Sequence, residues 1–153
     1  MKAKSKFDKF YKYVYIKIVC YYAVDMLLRI KKFKYKGEPN TMDCIFCKIA
    51  NKSIPSNLLY EDEKMAIFKD LNPEAPIHLL AIPKKHISSL AEITEENSDV
   101  ISHIFAKISE LKSFLGIEND FRIVCNCGEN SGQTVMHLHF HILSGRKLKW
   151  PPG

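Results

Sequence analysis

The stretch Gln133-Thr134-Val135-Met136-His137-Leu138-His139-Phe140-His141-Ile142-Leu143 constrains the fold more than any other part of the chain. Histidines stand at 137, 139 and 141, with Met136, Leu138, Phe140 and Ile142 between them. On a β-strand alternate side chains share a face. One face would then carry three imidazoles, and the apolar four would enter a core. On an α-helix, residues two apart lie about 200° apart around the axis. Only an extended segment brings the rings together, so the spacing predicts a strand over residues 135–143. A core built only for stability would not collect three polar rings, because each needs a hydrogen-bond partner once buried. Two functional readings remain at this point: metal ligation by imidazole, or nucleophilic and acid–base chemistry. The preceding Gly132-Gln133-Thr134 offers backbone N–H groups, an amide and a hydroxyl, which together can cradle an anion. Beside the histidines, that points to a phosphate held against an imidazole nucleophile.

The elements around this strand alternate in type. A short helix is expected over Ile45–Ala50, and short strands over residues 58–60, Met65–Lys69 and residues 79–83. Asp62 and the run 72–76 supply turns between them. Thr94 is a candidate N-cap, with Glu95 and Glu96 in a first turn where the helix dipole favours them. Val100, Ile101, Ile104, Phe105, Ile108, Leu111 and Leu115 then recur at helical spacing, and Gly116 is a natural stop. Another strand is expected over residues 121–126, followed by a glycine-containing loop over 127–133. Three early strands, one long helix and two late strands imply an α+β domain with a mainly antiparallel sheet.

Charge is distributed unevenly. Residues 1–40 carry 11 Lys and Arg against 3 Asp and Glu, a net +8, while the other 12 and 14 leave residues 41–153 at −2. The basic character therefore belongs to the first segment, and no nucleic-acid partner follows from the whole-chain charge. That segment also holds 9 of the 17 aromatic residues. Its least polar run, 14–30, is interrupted by Lys17, Asp25 and Arg29, which argues against a membrane span. It lacks an A-x-A-like cleavage site. Residues 1–40 read as a basic aromatic extension, solvated, with an interfacial or targeting role as the alternative. Gly37-Glu38-Pro39-Asn40 is loop chemistry, so a domain is expected over 41–153. Five cysteines, at 20, 44, 47, 125 and 127, are an odd number in a chain too long for a small disulfide scaffold. A reducing compartment, cytoplasmic or nuclear, is the expectation. Cys44-Ile45-Phe46-Cys47 is half of a tetrahedral zinc knuckle, or else a pair of small buried thiols.

The histidine stretch resembles the H-φ-H-φ-H-φ signature of the histidine triad (HIT) family, φ being apolar. Flanking blocks agree: Asp70-Leu71-Asn72-Pro73-Glu74-Ala75-Pro76-Ile77-His78, Ile82-Pro83-Lys84-Lys85-His86-Ile87, and Gly145-Arg146 with the ending Trp150-Pro151-Pro152-Gly153. That ending is similar to the Hint branch, the nucleotide-binding proteins also called protein kinase C-interacting. The likeness covers residues 43–153 and says nothing of 1–40. It implies a HIT-like five-stranded antiparallel sheet with one long and one short helix, paired into a homodimer with a continuous sheet. Trp150 would lie near the partner's site.

The resemblance also implies a purine nucleotide-binding hydrolase that cleaves nucleoside 5′-phosphoramidates and releases the monophosphate. His139 would attack the α-phosphorus and form a nucleotidyl-histidine intermediate. His141 would assist proton transfer, and His78 would orient the cluster. Thr134 stands where the Hint pattern usually has serine, keeping the hydroxyl near the leaving group. Asp70 would accept hydrogen bonds from ribose, Leu71 would border the nucleoside, and Asn126, Gly132 and Gln133 would contact phosphate or ribose. HIT proteins that carry the C-x₂-C pair imply a zinc set of Cys44, Cys47, His86 and His137, structural rather than needed for catalysis. Many Hint-branch proteins lack the cysteines, so the chain mixes two patterns. The competing functions are a nucleotide-binding scaffold with incidental catalysis and a dinucleoside polyphosphate hydrolase.

Overall fold

Residues 65–69 and 77–83 are apolar almost without a break, the pattern of strands covered on both faces, and they form the middle of the sheet. A computed structural model describes residues 43–118 and 120–151. The readings made for residues 1–40, and the boundary near 40, lie outside the described residues. The elements run α1 (Ile45–Ala50), β1 (Leu58–Glu61), β2 (Met65–Lys69), β3 (Ile77–Pro83), α2 (Asp99–Glu110), β4 (Phe121–Val124) and β5 (Phe140–Ser144), with 3₁₀ turns at Leu90–Glu92 and Glu129–Ser131. The five strands pair antiparallel in the order β1-β2-β3-β5-β4. The α+β architecture expected from the sequence is the one observed. No helix among the described residues is long and apolar enough to cross a membrane.

Each face of the sheet has its own cover. On one, Ile67, Leu79, Ala81, Leu138, Phe140 and Ile142 meet Val100, Ile104 and Ile108 of α2. Those three helix side chains are buried, and at about 1.5–3 kcal/mol each they contribute more than the intrinsic helicity of twelve residues. On the other face, Phe46 and Ala50 of α1 pack on Ala66, Phe68, Leu80 and Ile82. α1 is short: it covers β2 and β3 and, through Phe46, reaches His137 and His139. Leu143 and His141 of β5 are therefore half-buried, and beside them a cleft of about 510 Å³ runs along β4 and β5.

Several boundaries differ from expectation for local reasons. The last strand begins at Phe140, not at 135. The His137 N–H turns back to the Val135 carbonyl (2.8 Å), and the Leu138 N–H donates to the Ile87 carbonyl (2.6 Å), so neither enters the ladder. β4 stops at Val124, opposite His141, because its neighbour strand starts at Phe140 and leaves Cys125 and Asn126 little to pair with. Thr94 does not cap α2. Its N–H is taken by Asn97 Oδ1 (2.7 Å) in a separate turn, and the helix starts at Asp99. Past Glu110 the chain continues in turns to Gly116, whose φ of 71° is natural for glycine.

Candidate active site

Although only His141 lies on β5, the predicted alternation survives through the irregular residues before it. Leu138, Phe140 and Ile142 enter the α2-side core, while His137, His139 and His141 emerge on the opposite face. Met136 is half-buried and joins neither core. The His139 ring stands edge-on to His141 (centroids 5.0 Å) and to Phe46 of α1 (5.2 Å). His78, from β3, sits 5.1 Å from His141.

Partners that can only donate, or only accept, determine where the protons are. A carbonyl only accepts, so His139 Nδ1–H donates to the His137 backbone oxygen at 2.7 Å. The Nε2 lone pair of neutral His139 is then left for other chemistry. A backbone N–H only donates, so Glu74 N–H gives its hydrogen to His78 Nδ1 (3.1 Å). His78 must carry its own hydrogen on Nε2, which it donates to His141 Nδ1 at 2.8 Å. His141 in turn carries its hydrogen on Nε2. Burial, with His139 and His78 nearby, takes His141 down to about 4, against the opposing pull of Asp70. It is a neutral hydrogen-bond donor at pH 7.

Asp70 Oδ2 lies 3.4 Å from His78 Nε2 and 3.9 Å from His141 Nδ1, and Oδ1 accepts from the Asn72 N–H at 2.9 Å. Asp70, His78 and His141 thus converge as closely as metal ligands do. The proton pattern argues against a cation there. His78 Nδ1 is already an acceptor, so Nε2 keeps its hydrogen and has no lone pair to give. His78 and His141 are joined by a hydrogen bond, and the Asp70 carboxylate lies beside that bond within ion-pair distance of both rings.

Other residues singled out from the sequence fall around this cluster. Leu71 is 83% exposed at the tip of the β2–β3 connection. Thr134 is exposed, and Gly132 has a φ of 83° at the end of the Glu129–Ser131 turn. Asn126 Nδ2 reaches the Gly132 carbonyl at 3.4 Å, tying the end of β4 to the loop. Gln133 has a different task from the one expected. Buried to 2% exposure, it donates from Nε2 to the carbonyls of Ser88 (2.7 Å) and Val135 (3.1 Å) and accepts from the Gly128 N–H at Oε1 (2.9 Å). Its amide clamps the loop from within. Sequence reasoning overlooked Phe46 and the Glu74 N–H; the position of Phe46 between Cys44 and Cys47 was the available signal for the first, and the second has none in side-chain chemistry.

At the His137 end of the histidine row is a second cluster. Cys44, Cys47, His86 and His137 place one ligand atom each within 4.8 Å of one another. His137 Nδ1 is 3.5 Å from both sulfurs, and His86 Nδ1 is 3.2 Å from Cys47 Sγ. His137 donates Nε2–H to the Pro83 carbonyl at 2.9 Å, which points the Nδ1 lone pair at the thiols. A metal-binding histidine characteristically donates its other N–H to such an acceptor. Burial and the adjacent Cys44 thiol push Cys47 up to about 11, and burial takes His137 down to about 4. As thiols and neutral rings the four make only weak mutual contacts. As thiolates and imidazoles they are a Cys₂His₂ donor set, the composition of tetrahedral zinc sites. The residues fit such an ion.

A histidine row over an antiparallel sheet, its middle ring fixed by a backbone carbonyl beside a glycine-containing loop, defines the histidine-triad class of protein. The family model described as "Scavenger mRNA decapping enzyme C-term binding" matches residues 43–149. An uncharacterized HIT-like protein of Synechocystis is 48% identical over 111 residues, which cover 72% of this chain and 97% of the relative. Among solved structures, a HIT family hydrolase from Legionella pneumophila superposes with a TM-score of 0.70 at 40% identity, covering 72% of this chain and 100% of that one. A histidine triad protein from Clostridium difficile gives 0.68 at 50% identity, over 71% and 95%. A zinc-bound histidine triad family protein from Mycobacterium smegmatis gives 0.60 at 29% identity, over 72% and 83%. The chain belongs to the histidine triad (HIT) family.

Proposed function

We propose that this protein is a nucleotide-binding hydrolase of the Hint type that cleaves nucleoside 5′-phosphoramidates, purine ones above all, through a nucleotidyl-histidine intermediate. The observation that carries the reading is the 2.7 Å hydrogen bond from His139 Nδ1 to the His137 carbonyl. In the neutral ring it puts the hydrogen on Nδ1 and leaves Nε2 as the nucleophilic nitrogen. His139 Nε2 attacks the α-phosphorus, the P–N bond breaks, and the leaving amine takes its proton from solvent, while neutral His141 gives a hydrogen bond and not its proton. His141 Nε2–H is the donor beside that phosphate, held by His78. Water then attacks the phosphorus and releases a proton to solvent, the P–Nε2 bond breaks, and the nucleoside monophosphate departs, leaving His139 again with its hydrogen on Nδ1. Thr134, Asn126 and the Gly132 backbone line the phosphate side, with Gln133 acting through the loop that it clamps. Asp70 accepts from the ribose hydroxyls with whichever lone pairs the histidines leave, and exposed Leu71 borders the nucleoside. Zinc at Cys44, Cys47, His86 and His137 is part of the proposal, as is a homodimer that brings Trp150 towards a partner's site. The four free thiols among the described residues favour a reducing compartment.

A second reading, a dinucleoside polyphosphate hydrolase, is favoured by one observation. Arg122, Arg146 and Lys149 line the cleft beside His78 and His141, and the two guanidiniums bind carbonyls, of Lys149 and of Glu74, rather than carboxylates. Extra phosphates would suit them. Turnover of adenosine 5′-phosphoramidate compared with diadenosine polyphosphates decides between the two. His139→Ala separates both from a scaffold: if it keeps every biological role of the protein, catalysis is incidental.

A further inference from the structure

The nucleophile is held on two sides, and both holds lead back to the thiol–imidazole cluster. Its Nδ1–H is bound by the backbone of His137, whose side chain belongs to that cluster. Its ring is flanked by Phe46, which sits between Cys44 and Cys47 in the chain and lies 5.2 Å from His139 and 5.9 Å from His137. Phe68 supports Phe46 from behind at 5.7 Å.

The segment that carries Phe46 is weakly held by itself. α1 has six residues, and Cys44 at its N-cap makes no side-chain capping bond. A helix of that length has no stability of its own. It is placed by Phe46 and Ala50 in the smaller core and by contacts between sulfur and imidazole nitrogen at 3.2–3.5 Å. Bonds from one cation to all four residues would replace those contacts with a rigid joint across α1, the loop after β3 and the histidine segment.

We propose that the Cys44, Cys47, His86 and His137 cluster, loaded with a soft divalent cation such as zinc, positions the His139 imidazole, acting through Phe46 and the His137 carbonyl. This rests on the reading of His139 as nucleophile and extends it. The cation takes no part in bond making. Loading expels the two thiol protons to solvent and pins the chain on either side of Phe46. The ring then confines His139 to the rotamer in which Nδ1–H meets the carbonyl and Nε2 faces the phosphate. Phe46 and His137 are positioning residues in this scheme.

The test uses full-length protein with ¹⁵N-labelled histidine, stripped by chelator and reloaded with zinc alone. In the loaded form His139 should show a single Nδ1–H tautomer. Stripping should give a tautomer mixture, with kcat on adenosine 5′-phosphoramidate lower by about tenfold to a hundredfold, the usual effect of disturbing an outer-shell partner, and KM nearly unchanged. Loaded Phe46→Leu should keep one zinc per chain and reproduce the stripped signature, while Phe46→Tyr keeps the loaded one. If stripping unfolds the domain, the loaded Phe46→Leu comparison decides by itself. His139 signals that ignore zinc and the Leu substitution overturn the proposal, as does failure to bind one zinc per chain. If neither form hydrolyses the substrate but the tautomer follows zinc, positioning stands and the hydrolase reading falls.

Discussion

Removing the His78 ring tests the proton pattern of the site. In His78→Ala, the Glu74 N–H and His141 Nδ1 both lose their partners, at 3.1 and 2.8 Å respectively. Leaving a buried donor or acceptor unpaired costs about 1–3 kcal/mol. The His78 side chain is 4% exposed and that of His141 20%, so water from the neighbouring cleft relieves His141 in part. The expected loss is about 3 kcal/mol, read as a fall in the urea midpoint without a change in slope. The effect on rate comes from the tautomer. Without the His78 donor, the His141 hydrogen is free to occupy Nδ1, and Nε2 then no longer donates. A catalytic histidine in the wrong tautomer has cost about 10⁴-fold in a serine protease. Here only part of the population is lost, so kcat should drop by about tenfold to a hundredfold. His78→Gln, whose amide can still reach His141 Nδ1, should recover part of that. An alanine variant that is less stable yet turns over at the wild-type rate would refute the reasoning.

Three further outcomes follow from the same structure. An imidazole held neutral by burial is protonated more readily once unfolded, so the unfolded chain binds the extra proton and stability falls as pH drops. With His141 at about 4 against an unfolded value of about 6.5, its contribution is complete above 6.5. It declines through the window down to 4, by about 3 kcal/mol in all; an NMR titration placing His141 near 6.5 contradicts this. For Asp62, burial alone would raise the carboxyl, but hydrogen bonds from His103, the Lys64 and Met65 N–H groups and Tyr60 outweigh it and bring it to about 2. Its stabilisation is present above about 4 and lost towards pH 2, and Asp62→Asn should cost about 2.5 kcal/mol in denaturant at pH 7. Gly145 has a φ of 88°, and a Cβ there would lie 2.9 Å from Pro76 Cβ. Gly145→Ala should lower stability by about 2 kcal/mol or more by calorimetry.

What could be read from the sequence was what depends on periodicity. The α2 stripe of Val100, Ile104 and Ile108, the buried run of β2, and the face shared by His137, His139 and His141 all follow from side-chain spacing. What escaped depends on where backbone hydrogen bonds go. The start of β5 at Phe140 is decided by the bond from Leu138 N–H to Ile87, a residue 51 positions earlier in the numbering. The protons on His78 and His141 follow from the Glu74 N–H, which no side-chain motif encodes. From the sequence, Gln133 reads as the amide of an anion cradle with Gly132 and Thr134, and the family resemblance implies a phosphate or ribose contact for it. It turns inward because three backbone groups of the loop and of the Ser88 region need partners. The Cys44–Cys47 spacing was informative about a metal, whereas the residue between them, Phe46, gained its meaning only when its ring was seen against His139.

His139 is the group that should become covalently bonded to the nucleotide during turnover. Protein mixed with adenosine 5′-phosphoramidate should be quenched rapidly in alkali, where phosphohistidine-type bonds persist, digested, and sequenced by mass spectrometry. An adenylyl group on the His139 peptide, absent from His139→Ala, is the predicted result. Turnover that survives in His139→Ala, or a nucleotidyl group mapped to His78, His137 or His141 instead, would contradict it.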